Sequence, residues 1–267
     1  RPTVPTMRAM RAQLSRSAQA LRVGVTAAED DWFLWQARSD RRFRLAFAKA
    51  REIPGWYPEP VAAAAFAVLA DLRPECVVEI GSYMGRSTTF LAAAMEELGG
   101  PGHVVAIDPH TGDRQQLERL GASELPSLDM FRRHVEASGL SHRVRPVVQT
   151  AHEAAEGWTG AIDFLFVDGW HSYDAVMEDG RDWLPHLSED GVAIFDDVGN
   201  YPEVRKAVQD LAAEGLVHLY GEAFLQAFCG CRPAAPEPVR HVLRAYRPLS
   251  GRLKRVAGTV VSRTASE

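Results

Sequence analysis

Cysteine is scarce in this 267-residue sequence. Cys76, Cys229 and Cys231 are too few for a disulfide framework, and a reducing, cytoplasmic compartment is the simplest expectation. Cys229-Gly230-Cys231 has no second cysteine or histidine pair to complete a tetrahedral zinc set. Long hydrophobic runs are missing as well. The longest, VAAAAFAVLA at 61–70, is closed by Pro60 and Asp71, is too short to cross a bilayer and follows no signal-peptide start. It is expected to be a buried helix. A formal net charge of −5 gives no global attraction to nucleic acid, and no internal repeat is visible. What is present, 46% hydrophobic and 24% charged residues, describes an ordinary globular protein. The length suits one large α/β domain with decorations, or two small domains.

Short apolar runs at 76–80, 103–108, 144–148, 162–168, 191–196, 216–220 and 224–229 read as strands. Helix-like stretches at 86–98, 127–139, 152–157 and 172–184 separate the first five, and another at 202–214 follows the fifth. Alternation of this kind, with continuous apolar strands, predicts a doubly wound, mostly parallel seven-stranded α/β sheet with helices on both faces. Only Gly221-Glu222 joins the last two runs, too little for a crossover helix, so the last strand is expected to be reversed in a hairpin. In such sheets ligands bind beyond the carboxyl ends of the strands.

The first run ends in VVEIGSYMGRST (77–88). Gly81 and Gly85 allow a tight turn and close backbone approach to a ligand at the start of the next helix. The spacing is not that of a dinucleotide loop, and no lysine follows to make a phosphate-binding loop. Glu79, just before the first glycine, would repel phosphate but could hold a cationic amine. Asp108 ends the second run, 23 positions after Gly85, where an acid suits a ribose diol. An amine-tolerant loop and a ribose-binding acid without phosphate machinery describe S-adenosylmethionine better than NAD.

On VVEIGSYMGRST, VVAIDPHTGD (104–113), FLFVDGWHSYDAVMEDGRDWLPHLSEDG (164–191) and VAIFDDV (192–198), residues 76–208 resemble the class I S-adenosylmethionine-dependent methyltransferases. More narrowly, they are similar to metal-dependent small-molecule O-methyltransferases of the macrolide-sugar and cephamycin-pathway type. The resemblance implies the Rossmann-like methyltransferase fold. The cofactor-binding candidates are Glu79, Gly81, Ser82, Tyr83, Gly85, Ser87, Asp108, Thr150, Asp168 and Trp170. Gln149 and Thr150, ending the third strand, look like the adenine-edge contact. Trp170 would either wall the cofactor pocket or pack in the core.

Asp168 ends the fourth strand and Asp196-Asp197 end the fifth, so all three reach the same sheet edge, on neighbouring strands under about 5 Å apart. Three adjacent carboxylates repel unless a cation lies among them, and all-oxygen ligation favours Mg²⁺ or Mn²⁺. The resemblance implies the same triad. His171, three residues past Asp168, is placed to remove the proton of an acceptor hydroxyl; Asp168 and His171 are the catalytic candidates.

The expected activity is metal-dependent O-methylation of a small-molecule hydroxyl on a sugar or glycosylated natural product. The alternatives are a catechol or other phenolic acceptor, or a non-methylating cofactor-binding subunit that assists a partner oxygenase. The chain divides into a helical cap or oligomerisation segment (1–55), a catalytic domain (56–232) and a basic tail (233–267). The first segment is basic, with Arg1, Arg8, Arg11, Arg16 and Arg22 before any acid, and resembles a transit peptide in composition; a surface helix or frayed leader is the favoured reading. Its aromatics Trp32, Trp35, Phe43 and Phe47 are expected to cap the crevice or form a homo-oligomer contact. The tail, with Arg240, Arg244, Arg247, Arg252, Lys254, Arg255 and Arg263, reads as solvated, with membrane-surface or partner docking as the alternative.

Overall fold

The computed structural model describes residues 33–111 and 127–245. The arginines before Trp32, Trp32 itself and the basic end from Arg247 lie outside the described residues. Five apolar runs become parallel strands: β1 (Cys76–Ile80), β2 (His103–Ile107), β3 (Val144–Val147), β4 (Ile162–Val167) and β5 (Leu187–Phe195). β6 (His218–Ala223) and β7 (Gln226–Gly230) extend a single sheet of order β3-β2-β1-β4-β5-β7-β6. β7 is antiparallel to both its neighbours, so the expected doubly wound sheet with a reversed last strand is the fold observed. The order reverses between β1 and β4, the position beyond whose carboxyl ends ligands bind in such sheets.

The strands carry side chains into two cores, one on each face. On one face Val77, Phe164, Phe166, Val192, Ile194 and Phe228 are buried under α1 (Arg41–Ala50), α2 (Glu59–Leu72), α3 (Arg86–Leu98), α4 (Ser127–Ala137) and α8 (Glu237–Ala245). On the other, Val78, Leu165, Ala193 and Phe195 pack against α5 (Ala151–Glu156), α6 (Tyr173–Trp183) and α7 (Pro202–Ala213). The alanine run is the buried helix expected: Val61 to Phe66 are all buried, and small side chains let α2 approach its neighbours closely on all sides. Phe43 of α1 meets Phe66 and Phe90 edge-on, and with Ala46 and Ala50 belongs to the same core as the sheet. Among the described residues no helix is long and apolar enough to cross a membrane.

The hairpin differs from expectation. Its turn is Phe224-Leu225, both left-handed (φ 50° and 70°), while Gly221 lies inside β6 at φ 150°, beside a register shift. A side chain at Gly221 would press on Leu243 of α8, so the glycine serves close packing rather than the turn. β5 also starts earlier than its apolar run, at Leu187 beside Ile162, before an irregularity in the β4–β5 pairing.

Candidate active site

Gly81, Asp108, Asp168 and Asp196 each stand one position past a strand end. Their N–H groups donate to Ile107, Val147, Ile80 and Val167 carbonyls at 2.9, 3.1, 2.9 and 2.9 Å, continuing the ladder by one rung. The sheet therefore fixes the backbone of its carboxyl edge, and the side chains at that edge converge on one crevice. Gly81 is required there: a Cβ at its φ of 88° would lie 2.1 Å from the Asp168 carbonyl oxygen. Gly85, at φ 86°, closes the loop by donating to the Ser82 carbonyl at 2.8 Å and opens α3.

Asp108 is held from two sides. Its Oδ2 accepts from Tyr83 N at 2.7 Å and its Oδ1 from His110 N at 2.7 Å. Each oxygen retains a second lone pair, the geometry a ribose diol needs. Glu79 lies fully buried beneath the loop, where Thr88 donates to its Oε2 and Oε1 has no partner. Burial is the main reason its carboxyl is pushed up to about 7; the Ser87 and Thr88 hydroxyls oppose that shift. Ser82 Oγ is likewise buried without a partner, and Ser87 is buried at the start of α3. Thr150 is exposed and spends its side chain capping α5, where it forms a capping box with Glu153; Gln149 is exposed beside it. Trp170 is 56% exposed and therefore not packed in the core.

The acidic group is more specific. Ligand atoms of Asp168, His171 and Asp197 lie within 4.8 Å of one another. His171 Nε2 is 3.0 Å from Asp197 Oδ2, and Asn200 Nδ2 donates to Asp197 Oδ1 at 2.6 Å. Those contacts outweigh burial and hold the Asp197 carboxyl below its ordinary value. Asp197 takes a left-handed φ of 60°, which turns the chain so that Tyr201 stacks on the His171 ring at 4.2 Å and 4°. The opposite holds for its neighbours. Burial first, then Asp196, Asp197 and Glu79, push the Asp168 carboxyl well up. Burial and Asp197 raise Asp196 to about 7.

Asp168, Asp196 and Asp197 thus share the edge expected of them, but the tight group contains His171 in place of Asp196. Asp196 Oδ1 is buried with no partner, next to Asp168 on the adjacent strand. Carboxylates forced together, one with an orphaned oxygen, fit a hard divalent cation: it would satisfy the oxygen and relieve the repulsion. Sequence reasoning missed Tyr57, Tyr201, Asn200 and Gln226. None carries a local motif.

Residues 78–198 match the family model described as a methyltransferase domain. Uncharacterized protein R132 of Acanthamoeba polyphaga mimivirus is 26% identical over 161 residues, covering 58% of this chain and 67% of its own. Among solved structures, the O-methyltransferase NovP is similar with a TM-score of 0.53 at 18% identity, over 64% of this chain and 78% of that one. The S-adenosylhomocysteine-bound methyltransferase PaMTH1 of Podospora anserina gives 0.50 at 14% identity, over 87% of this chain and 99% of its own. At these identities the likeness is one of fold. Residues 78–198 thus resemble a methyltransferase domain, and the sheet, with its reversed β7 between β5 and β6, has the Rossmann-like methyltransferase fold.

Proposed function

We propose that this protein is an S-adenosylmethionine-dependent, divalent-metal-dependent O-methyltransferase acting on a small-molecule hydroxyl. The observation that carries the proposal is the Asp168–His171–Asp197 group, set at the same sheet edge as the Gly81–Gly85 loop. When bound, S-adenosylmethionine supplies an electrophilic methyl group, and a metal ion anchors and acidifies the acceptor hydroxyl. Asp108 offers its two outward lone pairs to the ribose, and the glycine loop lets the methionine end approach the backbone. Asp168, Asp196 and Asp197 are the oxygen ligands for the metal.

His171 receives the acceptor's proton, and the Asp197 carboxylate, 3.0 Å from its Nε2, stabilises the resulting imidazolium by charge. Tyr201 keeps the ring in plane by stacking on it. A base so supported suits an alcohol, far less acidic than a phenol, which favours a sugar or glycosylated natural product as acceptor. The test is a screen of sugars and phenols with labelled methyl donor, with Mg²⁺ and with chelator. Metal-dependent labelling of a hydroxyl is the expected result; labelling that ignores the chelator would remove the metal from the proposal, and none would remove the reaction.

A further inference from the structure

Tyr57 precedes α2 in the segment that crosses the edge of the sheet. Its ring is 1% exposed and meets Phe166 edge-on, at 5.7 Å and 87°, and Phe90 at 5.4 Å. Phe166 pairs in register with Glu79 on β1 and Ile194 on β5, so these three side chains share one face. The next outward residues on that face are Asp168 and Asp196. Gln226 lies opposite Asp196, one step beyond the Phe195–Ala227 pair. Tyr57, packed on Phe166, therefore reaches into the row formed by Asp168, Asp196 and Gln226.

The packing explains a ring, not a hydroxyl. Phenylalanine would make the same contacts. Yet the buried Tyr57 Oη has no hydrogen-bond partner, and a buried hydroxyl left unpaired costs stability. Asp196 Oδ1 is likewise buried and unpartnered on the same face, and the buried Gln226 amide beside it counters the rise of the Asp196 carboxyl. Burial and then the charges of Asp196, Glu79 and Asp168, in that order, hold the Tyr57 proton firmly on its oxygen. The hydroxyl is a donor, and the ring it belongs to packs on Phe166, one step inward from Asp168 and Asp196 on the same face. A donor on that row stands with the carboxylates proposed to hold the acceptor.

We propose that the Tyr57 hydroxyl donates a hydrogen bond to the acceptor oxygen, making Tyr57 a further catalytic residue; this rests on the methyl-transfer reading above. The acceptor gives up its proton to His171, while Tyr57 keeps its own and holds that oxygen in line. The ligand chemistry that fits is a hydroxyl, to whose oxygen Tyr57 donates.

Tyr57→Phe in the full chain tests this with three readouts. Turnover at saturating cofactor should fall about tenfold to a hundredfold, the worth of one hydrogen bond to an ionised oxygen. The melting temperature without ligands should stay the same or rise, because an unpaired hydroxyl has been removed. Calorimetric affinity for S-adenosylhomocysteine should stay within about twofold, below the effect of losing one hydrogen bond. A lowered melting temperature with a matching loss of activity would make Tyr57 structural, and weakened S-adenosylhomocysteine binding with normal turnover would move it to the cofactor; either overturns the inference. An active wild type equalled by Tyr57→Phe overturns it alone. A wild type that transfers no methyl group overturns the functional reading and this inference with it.

Discussion

β4 carries an aspartate near each end, and the protein treats them oppositely. Asp163, near the amino end, is fully engaged: its Oδ2 accepts from Glu75 N at 2.9 Å and Cys76 N at 3.1 Å, and its Oδ1 from Ser188 Oγ at 3.2 Å. It ties β1 and β5 to β4. Asp168, at the carboxyl end, is crowded by Asp196, Asp197 and Glu79, and burial raises its carboxyl well above the ordinary range. A carboxylate surrounded by donors supports the fold. One surrounded by other carboxylates is a standing cost that makes sense with a ligand present.

The largest effect expected of this contrast is kinetic. Asp168→Ala should lower methyl transfer by about a thousandfold or more, several kcal/mol of transition-state stabilisation, without lowering the melting temperature of the metal-free protein. Equal turnover in the variant would mean the two aspartates do not differ in kind. His171→Ala should lower turnover about 10²- to 10⁴-fold while metal binding, followed by calorimetry, survives. Residual activity should climb with pH as hydroxide replaces the imidazole; loss of metal binding instead would make His171 a ligand.

Asp163→Ala should do the reverse of Asp168→Ala. Stability should drop by about 1–3 kcal/mol in denaturant unfolding, since two backbone N–H groups lose their acceptor, with turnover of the folded enzyme unchanged. Asp108→Ala should fall between the two classes, weakening S-adenosylhomocysteine binding by about 1.5–3 kcal/mol in calorimetry. The Tyr83 and His110 amides it now holds would then be left to water.

The smallest effect is the dependence of stability on pH. Glu79 and Asp196 are raised to about 7 and Asp168 is raised too, so the folded protein holds protons that the unfolded chain has released. Their contribution to stability is present below the unfolded value, about 4, and is lost as pH rises toward about 7. With chelator, the melting temperature should fall between pH 5 and pH 7.5, by about 2–4 °C for each kcal/mol lost. Mg²⁺ should shrink that fall, because it favours the ionised carboxylates. A flat profile in chelator would show that the acidic edge carries no such cost.

Much of the fold was legible because its signals are local. Apolar runs of strand length, separated by helix-length stretches, placed β1 to β5 within a few residues. The loop geometry followed in part from Gly81 and Gly85, which take two of its three left-handed positions, the third being Tyr83. The hairpin turn was not legible, because Gly221 is the stronger local turn signal while the need for space beside Leu243 is a property of the packed molecule. Thr150 shows the same limit: its strand-end position did not announce the helix it caps.

By itself the sequence determined which residues stand at the carboxyl edge, since a strand that ends in aspartate must present that aspartate where its apolar run stops. Only the tertiary structure decided their company. It brought Asp197 to His171 through one left-handed residue, laid Tyr201 on the imidazole, and set Tyr57 and Gln226 beside Asp196 from opposite ends of the domain. It also separated Asp163 from Asp168, identical side chains at the two ends of one strand. Composition and periodicity act along the chain, whereas a carboxylate's role depends on donors and charges that arrive from elsewhere when the chain folds.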